Sequence, residues 1–193
     1  PGKLKFKALS SGIVPFEKKH NRYIIDMNTA KEDHFVSSIK QEASKCLKCK
    51  KAQCSAHCPV STDVPKVMEL FLNGEIRQAG ELLFLNNPLP AVTSVICPHE
   101  RNCTGHCVLG RKGEPVQFYR VEEYISRFFL ETTEIPKIEK NGIKIAVAGS
   151  GPAGITMSLL LLLKGYDVTM FEAQDNIGGV LRYGIPPFRL SRE

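Results

Sequence analysis

"KCLKCKKAQCSAHCPV", Lys45–Val60, places four of the chain's seven cysteines close together and follows the last with a proline. "ICPHERNCTGHC", Ile96–Cys107, carries the other three. Thiols crowded at such short spacing, in a chain with no signal-peptide core at its start, bind metal or do redox chemistry more often than they form structural disulfides. Seven is also one short of what two four-ligand sites need.

In the ferredoxin run C-x2-C-x2-C-x3-C-P the fourth cysteine ligates a different iron–sulfur cluster from the first three. The present spacing is C-x2-C-x4-C-x3-C-P, at Cys46, Cys49, Cys54, Cys58 and Pro59. The proline bends the chain away and offers no N–H. By that logic Cys46, Cys49 and Cys54 share one cluster with a cysteine of the second stretch, while Cys58 crosses to another. Cys107 is expected to complete the first set, leaving Cys58, Cys97 and Cys103 with three of four ligands. Zinc is the main alternative, since C-x2-C is a knuckle spacing and His57, His99 and His106 are further donors. Zinc ribbons present two such knuckles, however, and this chain has one. Each histidine also adjoins or nearly adjoins a cysteine, a poor placement for meeting the same ion.

Outward from the cysteines, the flanks read as helices. "DHFVSSIKQEASKC" places Val36, Ile39, Ala43 and Cys46 at helical spacing, so the first cysteine ends a helix. Residues 1–31 have no clear period and read as an extended arm. Between the cysteine stretches, "STDVPKVMELFLNGEIRQAGELLFLNNPLP" is a helical hairpin. Thr62 or Asp63 caps it, Pro65 sits in the first turn, Asn73-Gly74 break it and Asn87-Pro88 stop it. "EPVQFYRVEEYISRFFLE" is a further helix, with Phe118, Val121, Ile125, Phe128 and Phe129 recurring every three or four positions. A mostly α domain over 32–131, a polar linker over 132–142 and a second unit over 143–193 follow. No repeat at fixed period and no low-complexity segment occurs.

The 193 residues, 42% apolar and 24% charged, suit one ordinary domain or two small ones. The longest apolar run, Leu159–Leu163, is too short to cross a bilayer, so the expected location is cytoplasmic, with no membrane partner. The formal charge of +6 by itself hints at nucleic acid. Seven ligating thiolates and two cluster cores would bring it to about +3. No basic stripe interleaved with aromatics is present, and no nucleic-acid partner is expected.

The second unit opens with "IKIAVAGSGPAGITMSLLLLLKGYDVTMFEAQ", which reads as strand, glycine turn, apolar helix, strand. Gly149, Gly151 and Gly154 form G-x-G-x-x-G between strand and helix, with Glu172 ending the next strand. The first glycine permits the turn, the second lets backbone approach a pyrophosphate, and the third lets helix pack on strand. Ser150, Pro152 and Ala153 complete a loop whose helix N-terminus faces the phosphates. Glu172 is placed to bond a ribose hydroxyl and disfavours a 2′-phosphate. One βαβ fragment is less than a dinucleotide domain, so the chain is expected to be a piece of a longer protein or a natural truncation, binding its dinucleotide weakly by itself.

These stretches, with "NPLP" at the helix end and "IGGVLRYGIPPFRL" after Glu172, resemble the small subunit of NADPH-dependent glutamate synthase and its relatives. Those include the amino-terminal part of dihydropyrimidine dehydrogenase and the large subunit of NADH-dependent ferredoxin:NADP oxidoreductase. The resemblance runs from about Asp33 to Arg189. Gly165 and Val168 fit the flavin fingerprint. Ser158 stands where it has alanine, and Ser94-Val95 where the family tends to glycine and arginine. The resemblance implies a helical domain with two 4Fe–4S clusters, one held by four cysteines and the other by three plus a glutamate or glutamine of the following helix. It implies FAD in the full-length parent at the glycine loop, with Gly179, Val180 and Arg189 nearby, and NADPH or NADH on a domain absent from this chain. The implied partner is a larger catalytic subunit carrying FMN, or another acceptor such as ferredoxin. No catalytic acid, base or nucleophile is visible, and NAD(P)H oxidation by this stretch alone is not expected.

Helix phase selects the eighth ligand. Phe118, Glu122, Ile125 and Phe129 share a stripe, whereas Glu123 falls beside Tyr119 and Ser126. A carboxylate on an apolar stripe needs a cation or a metal, and Glu122 is the expected ligand. A zinc-bearing interaction module fused to a nucleotide-binding stub is the alternative function.

Overall fold

The computed structural model describes residues 7–9, 30–134 and 137–192, side chains of 7–9 and 30–33 excepted, so most of the expected amino-terminal arm lies outside the described residues. The chain divides into two compact units, Asn21–Glu134 and a second made of Pro1–His20 with Ile135–Glu193.

In the first unit, α1 (Ala30–Ser44) delivers Cys46 directly, its N–H bonding Ala43 O at 3.0 Å. A single helical turn, α2 (Gln53–Ala56), lies inside the first cysteine stretch. Asp63 then caps α3 (Val64–Leu72) by accepting the Lys66 N–H at 3.2 Å, with Pro65 in the first turn. Gly74, at φ +85°, closes α3 in the left-handed conformation, and the Glu75 N–H reaches back to Leu70 O at 2.9 Å. The hairpin's second arm is α4 (Ile76–Asn86).

A further helix, α5 (Pro90–Ile96), follows the Asn87-Pro88 stop, where the sequence predicts no element. Seven residues are too few for a period to show. Its start is nevertheless built locally: Pro90 occupies the first turn, Asn87 Oδ1 accepts the Leu89 N–H at 3.1 Å, and Asn87 Nδ2 donates to Thr93 Oγ1 at 2.8 Å. The central element is α6 (Phe118–Thr132), which packs against α1, α4 and α5. Ile39, Val67, Met68, Leu83, Val121 and Ile125 are at most 1% exposed, each burial contributing about 1.5–3 kcal/mol. Phe129 is only half-buried; it stacks on Phe84 at 5.0 Å and leaves no room for a Cβ on Gly80.

In the second unit, β2 (Lys144–Ala148), α7 (Pro152–Leu163) and β3 (Asp167–Glu172) form a βαβ turn. β2 and β3 are parallel, in register from Lys144↔Asp167 to Ala148↔Phe171. A strand β1 (Lys7–Leu9), within the segment read as an arm, pairs antiparallel with the other edge of β3, giving the order β1-β3-β2. A short helix, α8 (Val180–Tyr183), follows. Among the described residues no helix is long and apolar enough to cross a membrane.

Candidate metal centres and nucleotide loop

Cys46, Cys49, Cys54 and Cys107 face one space of about 330 Å³, part of it open to solvent, with Leu47, Pro65, Leu109 and Val116 among its walls. Backbone N–H groups aim at the sulfurs. Val116 N–H donates to Cys107 Sγ at 3.4 Å, Lys48 N–H to Cys46 and Ser55 N–H to Cys54. The Lys48 donation comes from a turn with φ +49° between the first two cysteines. Burial pushes the Cys46 and Cys54 thiols up, Cys107 adds to both, and these N–H donors oppose the shift. Thiols desolvated around one space and supplied with N–H donors fit sulfurs that function as thiolates on a metal.

The remaining three cysteines gather around α6. Cys97 caps the end of α5, and Cys58 bonds Thr62 Oγ1 at 3.4 Å. Burial raises the Cys97 thiol, with Glu122 and Cys58 adding. Burial also pushes Cys103 up to about 11; Glu122 and Cys58 act in the same direction, against Thr104. Glu122 itself is 8% exposed, and burial pushes its carboxyl up to about 8. Among the described residues no cation forms an ion pair with it. Its neighbour Glu123 has a commonplace partner, Arg127 Nη2 at 2.9 Å, on a more exposed side chain. A buried carboxylate with no cation, beside three thiols, is a donor set waiting for positive charge.

The histidines are engaged elsewhere. His57 Nδ1 lies 2.9 Å from Gln53 O, His106 Nδ1 2.8 Å from Asn102 O, and His99 Nε2 3.0 Å from Ser94 O. His99 stacks on Tyr119 at 4.2 Å, and His57 on His106 at 3.5 Å. Among the described residues no three His, Cys, Asp or Glu side chains converge tightly enough for a single ion.

In the second unit Gly149 turns at φ +91°, its N–H bonding Phe171 O at 2.7 Å, and α7 starts at Pro152 and Ala153. A Cβ on Gly154 would collide with Gly149 O. Glu172, 8% exposed, accepts the Ser150 N–H at 2.8 Å, the Ser150 hydroxyl, and the Gln174 N–H at 2.8 Å. The Ser150 hydroxyl leads these donors in holding its carboxyl down at about 2. Gly178 N–H bonds Ser150 O at 3.0 Å, and a Cβ on Gly179 would lie 2.8 Å from Gly151 Cα. The loop residues Gly149, Ser150, Gly151 and Gly154 thus converge with Glu172 and the Gly178-Gly179 pair that leads into Val180. Arg189 is exposed, its N–H closing a turn on Pro186 O at 2.9 Å. The Ala173 backbone N–H adds to these donors, so most of the roughly four acceptor positions of the Glu172 carboxylate are used within the fold.

Residues 22–134 match the family model described as dihydropyrimidine dehydrogenase domain II, 4Fe-4S cluster, and residues 147–186 match that of the NAD(P)-binding Rossmann-like domain. The chain belongs to the dihydropyrimidine dehydrogenase domain II, 4Fe-4S cluster family. The NAD-dependent dihydropyrimidine dehydrogenase subunit PreT of Escherichia coli (strain K12) is 39% identical over 153 residues, 78% of this chain and 37% of that protein. The glutamate synthase (NADPH) small chain of the same organism is 34% identical over 157 residues, 80% of this chain and 33% of its own. That of Mycobacterium tuberculosis (strain ATCC 25618 / H37Rv) is 36% identical over 170 residues, 86% and 34% respectively. The chain spans about a third of the length of the curated relatives it matches. The resemblance read from the cysteine spacing and the glycine turn is borne out, as is an iron–sulfur domain followed by a partial Rossmann-like unit.

Within the family domain, the sequence reading passed over Glu42. It is 5% exposed; Oε1 accepts the Gln117 N–H at 2.8 Å and Oε2 the Lys45 ammonium at 2.7 Å. Burial would raise its pKa, but the Gln117 and Lys45 bonds prevail and lower it. Glu42 thereby ties the end of α1, which presents Cys46, to the start of α6, which presents Glu122. The available signal was its place among Ile39, Ala43 and Cys46, a charged residue on an apolar stripe.

Proposed function

We propose that this chain is the electron-transfer module of an NAD(P)H-dependent flavin and iron–sulfur oxidoreductase of the glutamate synthase small-subunit type. Cys46, Cys49, Cys54 and Cys107 would hold one 4Fe–4S cluster. Cys58, Cys97, Cys103 and Glu122 would hold a second. The observation that carries the reading is the sorting of these eight side chains into two groups, with the buried, cation-free Glu122 in the group that is one thiol short. That no three of these donors converge on a single-ion position among the described residues supports a cluster, whose ligands meet separate irons, over a zinc ion that all four ligands must approach within about 2.3 Å.

When bound, the clusters would relay single electrons drawn from the two-electron hydride that FAD takes from NAD(P)H. The chain's own residues bind and tune. The N–H groups of Lys48, Ser55 and Val116 would stabilise charge on the sulfurs of the first site, and the Glu122 carboxylate would replace a softer thiolate on the second. The Gly149–Gly154 loop, Glu172 and the Gly178-Gly179 pair would hold the ADP half of FAD. Receipt of electrons by a larger subunit carrying FMN, or by a ferredoxin-like acceptor, in the cytoplasm, completes the proposal, on the strength of the relatives' names and the motif order.

Anaerobic reconstitution of the chain tests it. About eight irons and eight acid-labile sulfides per chain, with broad absorption near 400 nm, are expected. Four of each would remove the second site, and a colourless zinc protein would overturn the reading.

A further inference from the structure

We propose that His57 and His106 form a stacked clamp on a local two-fold axis, and that this clamp sets how the two cluster sites sit with respect to each other. The inference rests on the two-cluster reading above. It begins from a likeness hidden by a 49-residue separation: Gln53-Cys54-Ser55-Ala56-His57-Cys58 and Asn102-Cys103-Thr104-Gly105-His106-Cys107. Both read amide, cysteine, hydroxyl, small residue, histidine, cysteine.

The two hexapeptides also fold alike. The histidine N–H bonds the carbonyl four residues back, at 3.0 Å in His57→Gln53 and 3.2 Å in His106→Asn102. The second cysteine's N–H bonds the hydroxyl residue's carbonyl, at 3.1 Å in both Cys58→Ser55 and Cys107→Thr104. Each ring places Nδ1 on the same carbonyl that its own N–H uses, at 2.9 and 2.8 Å. A carbonyl can only accept, so Nδ1 carries the proton in both rings. The likeness is not complete: Gln53–Ala56 is a helical turn whereas the Thr104 and Gly105 N–H groups both bond His99 O, and a Cβ on Gly105 would strike the Glu100 carbonyl.

Superposing one turn on the other pairs Cys54 with Cys103 and Cys58 with Cys107. Cys54 and Cys107 belong to the first group, Cys58 and Cys103 to the second. The operation that exchanges the turns therefore exchanges the sites. Where equivalent residues of two related elements touch, the contact lies on the axis relating them. His57 and His106 are such a pair, with ring centroids 3.5 Å apart and planes within 10°. His57 is exposed, so the pair is not there to fill a core. Each histidine is tied to its own turn by two bonds to one carbonyl, one from its backbone N–H and one from ring Nδ1, and each turn supplies one thiol to each site. Stacking the rings thus fixes the separation and orientation of the sites. In this proposal both act as positioning residues.

The test uses the anaerobically reconstituted chain, with iron content and the electron paramagnetic resonance spectrum of the fully reduced protein as readouts. Two nearby reduced clusters interact magnetically, and the splitting reports their separation and relative orientation. His57→Ala, His106→Ala and the double variant are expected to keep about eight irons and to show a changed or broadened splitting. His57→Phe, which keeps a ring on His106, is expected to return the wild-type splitting. Loss of iron in the alanine variants that His57→Phe repairs would equally support the clamp. Wild-type splitting in both alanine variants and the double, with iron intact, would overturn the clamp and leave the two-cluster reading standing. Iron loss that His57→Phe does not repair would also overturn it. A wild-type chain with only four irons would remove the two-cluster reading, and the clamp with it.

Discussion

Replacing Glu122 separates a ligand from a merely buried acid. The carboxyl is 8% exposed, has no cation partner among the described residues, and is pushed by burial up to about 8 from an ordinary 4.5. At pH 7 such a group, mostly protonated in the metal-free fold, costs that fold roughly 3 kcal/mol of stability. The penalty is absent below the ordinary carboxylate range, grows as pH rises, and is complete above about 8. On the proposed reading, a bond to iron would offset it by supplying the missing positive charge. Three variants follow. Glu122→Gln keeps an oxygen donor, so the chain should retain about eight irons with a shifted potential at one cluster. Glu122→Ala leaves one iron without a protein ligand, and about seven irons with a three-iron signal are expected. Glu123→Ala should match wild type, because it removes only the surface pair with Arg127. The assay is iron analysis with electron paramagnetic resonance on all variants after identical reconstitution. A wild-type spectrum from Glu122→Ala, with loss of a cluster in Glu123→Ala, would refute the helix phase. No change in either would place the eighth ligand elsewhere.

Three further outcomes are expected. Among the described residues Ser158 Oγ, buried on α7, has no hydrogen-bond partner, so Ser158→Ala should stabilise its unit by about 1 kcal/mol, raising the melting temperature by a few degrees; an unchanged or lower temperature would mean the hydroxyl is satisfied. Glu172 is held at about 2 by the Ser150 hydroxyl and by N–H bonds. Its contribution to stability is therefore complete above the ordinary carboxylate pKa and lost as pH falls through about 2, and Ser150→Ala should shrink this acid dependence in a pH series of denaturation curves. Glu42→Ala leaves the Gln117 N–H unpaired and should destabilise the helical unit by about 1–3 kcal/mol, while Glu42→Gln restores an acceptor and recovers most of the loss in urea titration.

The helical hairpin and α6 were legible because their periods run for two turns or more, and the hairpin also carries local signals, Asp63 with Pro65 at its start, Gly74 at its break and Asn87-Pro88 at its stop. The βαβ turn was legible because G-x-G-x-x-G, an apolar helix and an acidic strand end occur together. α5 was not, since seven residues show no period and its start depends on the side chain of Asn87. The β1 strand escaped because three residues paired with a distant edge leave no local pattern. In the candidate sites, the expected ligands were named from spacing, helix phase and the family resemblance, but the hydrogen-bond partners of those residues could not be. Glu172 reads as a ribose ligand, and only the fold shows Ser150 occupying part of it. The stack of His57 on His106 joins residues 49 apart, and nothing in either hexapeptide alone announces it.

Both sites share an energetic logic. Burial raises the thiols of Cys46, Cys54, Cys97 and Cys103 and the carboxyl of Glu122. Each therefore disfavours, in the folded protein, the deprotonated form that binds metal. In the unfolded chain those same groups are solvated and ionise more readily. A metal-free fold consequently holds these groups protonated, and cluster insertion must release protons as it supplies charge. Cluster affinity should then fall steeply with acidity. The loss should be shared between the sites, because α6 carries Glu122 into one and Glu42 ties α6 to the helix that presents Cys46 to the other. Loss of one cluster should loosen the second through that tie, so stepwise chelation is expected to show the two clusters leaving together. Removal of one cluster with the other retaining its full spectrum and thermal stability would show the sites to be independent.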